Sequence, residues 1–174
     1  PIGSIYENSF QKNKFHQLGS EASKLVKFIW YCLNPNHYHF ILEQVADKGI
    51  ETFMQRIGGY TKYFNNKYER SGALFQGVFK AKHINSNEYL LHLSAYVNLN
   101  NRCHQLGSEA SKLMASSWGE YIGDYLTEDF CKKDIILGQF NDDIAAYKTF
   151  AEETAEGIME KRKEDKELDG LLLE

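Results

Sequence analysis

The sequence has no apolar run long enough to span a bilayer, and no signal-peptide pattern opens it, so neither membrane insertion nor secretion is expected. Cysteine is sparse: Cys32, Cys103 and Cys131 are an odd, scattered set without CxxC spacing. That argues against a disulfide scaffold or a cysteine-built zinc site. It fits free thiols in a reducing compartment, and the expectation is a cytoplasmic protein. Proline is scarcer still, with 2 in the chain, and Pro35 stands in Asn34-Pro35-Asn36, where it marks a turn. With 174 residues there is enough chain for one well-buried domain plus an appendage.

Acidic residues are missing locally although the formal net charge is −4. From Phe53 to Arg102 the basic residues are Arg56, Lys62, Lys67, Arg70, Lys80, Lys82 and Arg102, opposed only by Glu69 and Glu88. From Asn141 onward acids outnumber bases. A locally basic stretch of this kind suits a polyanion, although any single lysine can equally be a solvated side chain. Aromatic residues are plentiful, most of them expected in the core, and those left outside suit base stacking.

Leu25 to Leu33 reads as a buried strand, rich in β-branched and aromatic residues, and His37 to Val45 as its hairpin partner across the Asn-Pro-Asn turn. Ile50, Phe53, Met54, Ile57, Phe64 and Tyr68 keep a helical period to about Arg70, with a weak point at Gly58-Gly59. Leu74 to Ile84 alternates and reads as a third strand, with His83 on its Phe75/Phe79 face, toward the core. Asn85 with Glu88 forms a capping box that launches a helix to about Arg102. Beyond Trp118 the pattern is helical and polar, and Glu160 to Glu167 is charged enough to be solvated or frayed.

Alternation puts His37 and His39 on one strand face, which makes half of a divalent-metal site. Tyr96 and Asn100, four residues apart, fall on one helical face. Taken alone, His-x-His on a strand is more often a pair of exposed or hydrogen-bonded histidines, Tyr96 a packing residue, and Asn100 a helix C-cap. Taken together they offer a hydroxyl nucleophile beside a cation site. One feature is unrelated to this layout: His16 to Leu25 and His104 to Leu113 are the same decapeptide, HQLGSEASKL. Two copies in different contexts do not make a solenoid, and the expectation is a pair of surface connectors.

The segments YCLNPNHYHFILEQ, SGALFQGVFKAKHI and YLLHLSAYVNLNNR, in that order, resemble the single-tyrosine HUH transposases, specifically the REP-associated tyrosine transposase group. The resemblance covers about Lys27 to Arg102 and continues more weakly through Ser117-Trp118-Gly119-Glu120-Tyr121. It implies an α+β, ferredoxin-like antiparallel sheet with helices on one face; there is no room ahead of Leu25 for both the family's first strand and its first helix, so the expectation is a fold that lacks them. It implies residues 1–116 as the catalytic domain and 117–174 as a helical, acidic extension. It further implies His37, His39 and Asn100 as ligands of Mg²⁺ or Mn²⁺ and Tyr96 as the nucleophile that becomes linked to a 5′ phosphate. The substrate would be single-stranded DNA from a hairpin or palindromic repeat, and the enzyme a possible homodimer with no membrane partner. Arg56, Lys62, Lys80, Lys82 and Arg102 are the expected DNA contacts. Two other functions stay open: a non-catalytic single-stranded nucleic-acid-binding relic of the fold, and a metal-dependent hydrolase that makes no use of Tyr96.

Overall fold

The computed structural model describes residues 24–104, 107–124 and 130–171. The expectation of a lacking first strand and helix, and most of the first decapeptide copy, lie outside the described residues. Strands β1 (Val26–Leu33) and β2 (Tyr38–Gln44) form an antiparallel hairpin, with Val26 opposite Gln44 and Leu33 opposite Tyr38. After it come helices α1 (Gly49–Lys67), α2 (Asn87–Asn98), α3 (Asn100–Cys103) and α4 (Ser108–Lys112), then the short strand β3 (Ala115–Ser116). Helices α5 (Trp118–Ile122) and α6 (Asp134–Leu137), a 3₁₀ turn and the long α7 (Ile144–Leu171) complete the described chain. Strand β3 pairs antiparallel with the end of β1, so the α+β fold has a three-stranded antiparallel sheet of order β2-β1-β3.

The register of β1 against β2 shifts between Phe28 and Trp30. Strict alternation would put these two rings on one face; the shift sends them to opposite sides. Phe28 meets Phe40 and Phe53, each with ring centroids 5.3 Å apart, whereas Trp30 stacks on Tyr121 at 4.9 Å. Neighbouring strand residues also face opposite ways. Phe40 reaches Phe53 of α1, and His39 reaches Tyr96 of α2. Helices therefore cover both faces of the sheet, not one as expected.

Helix α1 starts at Gly49 because the chain passes close under the hairpin: a Cβ there would collide with the backbone oxygen of Leu25. The helix runs unbroken through Gly58-Gly59. Leu74 to Ile84, expected as a strand, has no strand partner among the described residues. Its alternation is not matched by burial: Val78 is 86% and Phe79 40% exposed, and Gly72 and Gly77 turn the backbone at φ 92° and 72°. His83 is accordingly exposed and, with Ile84, Ser86 and Leu90, lines an open groove at the start of α2 rather than entering the core. The N-cap of α2 is Ser86, whose Oγ accepts from the Tyr89 amide at 3.2 Å; Asn85 does not cap it.

The expected single helix to Arg102 is interrupted at Leu99, where φ is −105° and ψ 29°. Buried polar groups then tie α2 to the C-terminal part. Asn98 donates to the Tyr147 hydroxyl at 3.1 Å and accepts from Ser117 Oγ at 2.8 Å. Tyr121 donates to the Ile29 carbonyl at 2.8 Å. Glu120, buried, accepts from the amides of Phe130 and Cys131 at 2.9 and 2.7 Å. The core thus draws on both sides of position 116/117, with Trp30, Ile41 and Val97 packed in one cluster with Tyr121, Ile136, Tyr147 and Ala151. The 160–167 stretch, expected to be solvated or frayed, continues α7 as helix; residues 160–165 are exposed as a solvated stretch would be, except the half-buried Arg162.

Candidate functional site

The turn before β2 is closed by the Asn34 amide donating to the His37 carbonyl at 2.8 Å. It delivers His37 and His39 to the same side, their ring centroids 4.9 Å apart, while Tyr38 between them turns away to stack on Phe40. Asn34 Nδ2 can only donate, so His37 Nε2, 2.9 Å from it, accepts. The His37 proton then sits on Nδ1, which donates to Asn36 Oδ1 at 2.7 Å. This outer hydrogen bond fixes both the tautomer and the ring, and presents the Nε2 lone pair inward.

Asn34 Nδ2 makes a second bond, to Asn100 Oδ1 at 3.0 Å. Two of the three expected ligand atoms thus converge on one positively polarised N–H group. The third, His39 Nε2, is buried with no hydrogen-bond partner, and so is Asn100 Nδ2. A buried imidazole nitrogen without a partner costs free energy unless something fills its coordination, so His39 Nε2, with His37 Nε2 and Asn100 Oδ1, fits a cation; Asn100 Nδ2 can only donate and is no part of that donor set. Burial pushes the His39 pKa below its ordinary value, and the neighbouring His37 and His104 push it further. A neutral ring keeps its lone pair, which is the form a metal needs. Among the described residues no group of three or more His, Cys, Asp or Glu is arranged to hold a metal, and the further oxygen placed beside the histidine pair is Asn100 Oδ1, which shares the Asn34 amide with His37.

Tyr96 lies against His39, ring centroids 5.8 Å apart. Its hydroxyl pairs with His104 Nε2 at 2.8 Å. Burial, the Arg162 guanidinium and His37 push the His104 pKa below the usual histidine value. Arg162 Nη2, which can only donate, lies 3.5 Å from His104 Nε2, so that nitrogen is the acceptor and the Tyr96 hydroxyl donates to it. Arg162, from α7, donates to the Cys103 carbonyl at 2.7 Å and sits 5.7 Å from the Tyr96 ring centroid. Tyr96 and Asn100 do come to one site, but the break at Leu99 lies between them. Asn100 is fully buried, and Tyr96 is partly exposed.

The basic residues expected to contact DNA behave differently. Arg56, Lys62, Lys80 and Lys82 are exposed, with Lys82 resting over the Tyr89 ring at 4.6 Å. Arg102 instead pairs with Glu152 of α7 at 3.4 Å. Among the described residues none of the five hydrogen-bonds to His37, His39, Tyr96 or Asn100. Sequence reasoning missed three participants: Asn34, taken only as a turn residue; His104, taken only as the start of a repeat; and Arg162, taken as part of a solvated tail. A signal existed for His104, because Tyr96, Asn100 and His104 recur at every fourth residue. Searches of family models, of curated proteins and of solved structures find no match to this chain.

Proposed function

We propose that the chain is a metal-dependent tyrosine transposase. It would cut and rejoin single-stranded DNA through a 5′-phosphotyrosine at Tyr96, on a ferredoxin-like arrangement of the sheet and its helices. The observation that carries this reading is the packing of the Tyr96 ring against His39, whose buried Nε2 lacks a partner, with the Tyr96 hydroxyl paired to His104 and two further acceptor atoms converging on the Asn34 amide.

Bound by His37, His39 and Asn100, Mg²⁺ or Mn²⁺ would neutralise the charge of the scissile phosphate and stabilise the oxyanion that develops on it. The imidazole donors favour Mn²⁺ of the two. Tyr96 supplies the attacking oxygen, and His104 Nε2 is within hydrogen-bond reach to receive the proton that oxygen gives up. The new Tyr96 O–P bond replaces the bond to the 3′ oxygen, which leaves as a hydroxyl after taking a proton from water. Rejoining is the reverse, with the proton returning from His104 to Tyr96. Arg162 holds the Cys103–His104 corner and places a guanidinium, the preferred partner of a phosphate, over the Tyr96 ring.

The test is strand cleavage of a hairpin with a single-stranded flank in Mn²⁺. Tyr96→Phe should lose cleavage by roughly 10³-fold or more while DNA binding and thermal stability hold. Cleavage retained in that variant would point to the hydrolase. Binding without cleavage in the wild type would point to the non-catalytic relic.

A further inference from the structure

Tyr60, Tyr63, Phe64, Lys67 and Tyr68 fall at helical spacing on one face of the second half of α1 and its C-cap. An aromatic stripe with that spacing is ordinarily turned to a core. Here Tyr60 is 49%, Tyr63 57% and Tyr68 43% exposed. The rings support one another: Tyr60 lies 5.6 Å from Tyr63, and Phe64 lies 4.5 Å from Tyr68, centroid to centroid. Cations ride on them. Lys67 Nζ is 5.9 and 5.5 Å from the Tyr63 and Tyr68 rings, and the Arg70 guanidinium, held by Asn65 Oδ1 at 2.9 Å, is 5.6 Å from Phe64. Between Tyr60 and Arg70 the charged residues are Lys62, Lys67, Arg70 and a single acid, Glu69.

We propose that this face is a base-stacking platform for single-stranded nucleic acid, with the tyrosine rings taking bases and Lys67 and Arg70 taking phosphates. Exposed π-faces interleaved with positive charge match a polyanion whose bases are unpaired. A blunt duplex hides those base faces within its own stack. A second copy docked here across a two-fold axis would set the same basic residues against each other, which disfavours that occupant. The platform goes beyond the reading of Tyr96, because stacking holds a strand whether or not the strand is cut.

The experiment is fluorescence anisotropy of the full chain with a labelled oligodeoxynucleotide of about 12 nucleotides, within the usual range of such sites. It is repeated across a salt series, with adduct formation at Tyr96 scored in parallel. Tyr60→Ala with Tyr63→Ala should weaken binding about tenfold or more and leave the salt dependence unchanged. Tyr60→Phe with Tyr63→Phe keeps the rings and should bind like the wild type. Lys67→Gln with Arg70→Gln should flatten the salt slope by about 1.4, the value for two lost single-strand phosphate contacts. Wild-type affinity in the alanine variant, or no binding of the oligonucleotide by the wild type, would overturn the platform. So would a wild-type dimer in sedimentation velocity that the alanine variant loses, because the face would then belong to a second copy. Aromatic-dependent binding without an adduct would keep the platform and sink the Tyr96 reading. An adduct with unaltered binding in the alanine variant would do the reverse.

Discussion

At the scale of single residues, the site depends on what each inward-facing histidine nitrogen meets. His37 is oriented by Asn36, and its Nε2 accepts from the Asn34 amide, a bond that a cation would replace; His39 offers an Nε2 that nothing in the described protein satisfies. His37→Ala with His39→Ala should therefore abolish Mn²⁺ binding in calorimetry, while unchanged affinity would remove the metal assignment. The same burial has a consequence for stability. The folded His39 has a pKa below its ordinary 6.5, lowered first by burial and then by His37 and His104. The unfolded chain thus takes up the proton first as pH falls below about 6.5, so stability drops there and levels off below the folded value. His39→Gln should flatten that drop in melting temperature between about pH 7.5 and 5.5; a profile parallel to the wild type would contradict it. The histidine pair was legible because strand alternation is a strict period of two. Asn34 was not, since a turn asparagine serves its own backbone far more often than a neighbouring helix.

Among the elements, the hairpin follows the sequence pattern closely, and the tyrosine helix forms where expected but breaks at Leu99. Leu74 to Ile84 alternates, but alternation makes a strand only where a partner edge and a burying surface exist. Gly72 and Gly77 at positive φ direct the chain elsewhere. Helix α7 was legible as a polar helix but not as a packing one. Its buried stripe, Tyr147, Ala151 and Ala155, with Ile158 partly buried against the same core, keeps a helical period but is diluted by charge, so composition hid it. That stripe is fixed to α2 by the Tyr147 hydroxyl, which accepts from Asn98 at 3.1 Å and donates to Ser94 Oγ at 3.3 Å. Tyr147→Phe leaves the buried Asn98 amide without its acceptor and should cost about 1–3 kcal/mol in urea denaturation. A change below about 0.5 kcal/mol, the range of an ordinary surface substitution, would show that this network does not hold the helices together. The second decapeptide copy is also more than a connector. Its Glu109–Lys112 pair and Leu113 are exposed, yet its first residue, His104, reaches Tyr96.

For the molecule as a whole, the C-terminal helix does more than close the core: it brings Arg162 to the corner that holds His104 beside Tyr96. A reading confined to local motifs could identify His37, His39 and Tyr96 but not that contact, which links residues far apart in the chain and depends on how α7 crosses α2 and α3. The central claim is that Tyr96 forms a covalent bond to a cut strand. The direct measurement is to incubate the full chain with labelled single-stranded DNA and Mn²⁺, denature it, and map the retained label by mass spectrometry. The account predicts a denaturant-resistant adduct on the 5′ phosphate, borne by the peptide containing Tyr96 and absent in Tyr96→Phe. No adduct under conditions where the DNA is bound, or an adduct mapped to another tyrosine, would contradict it.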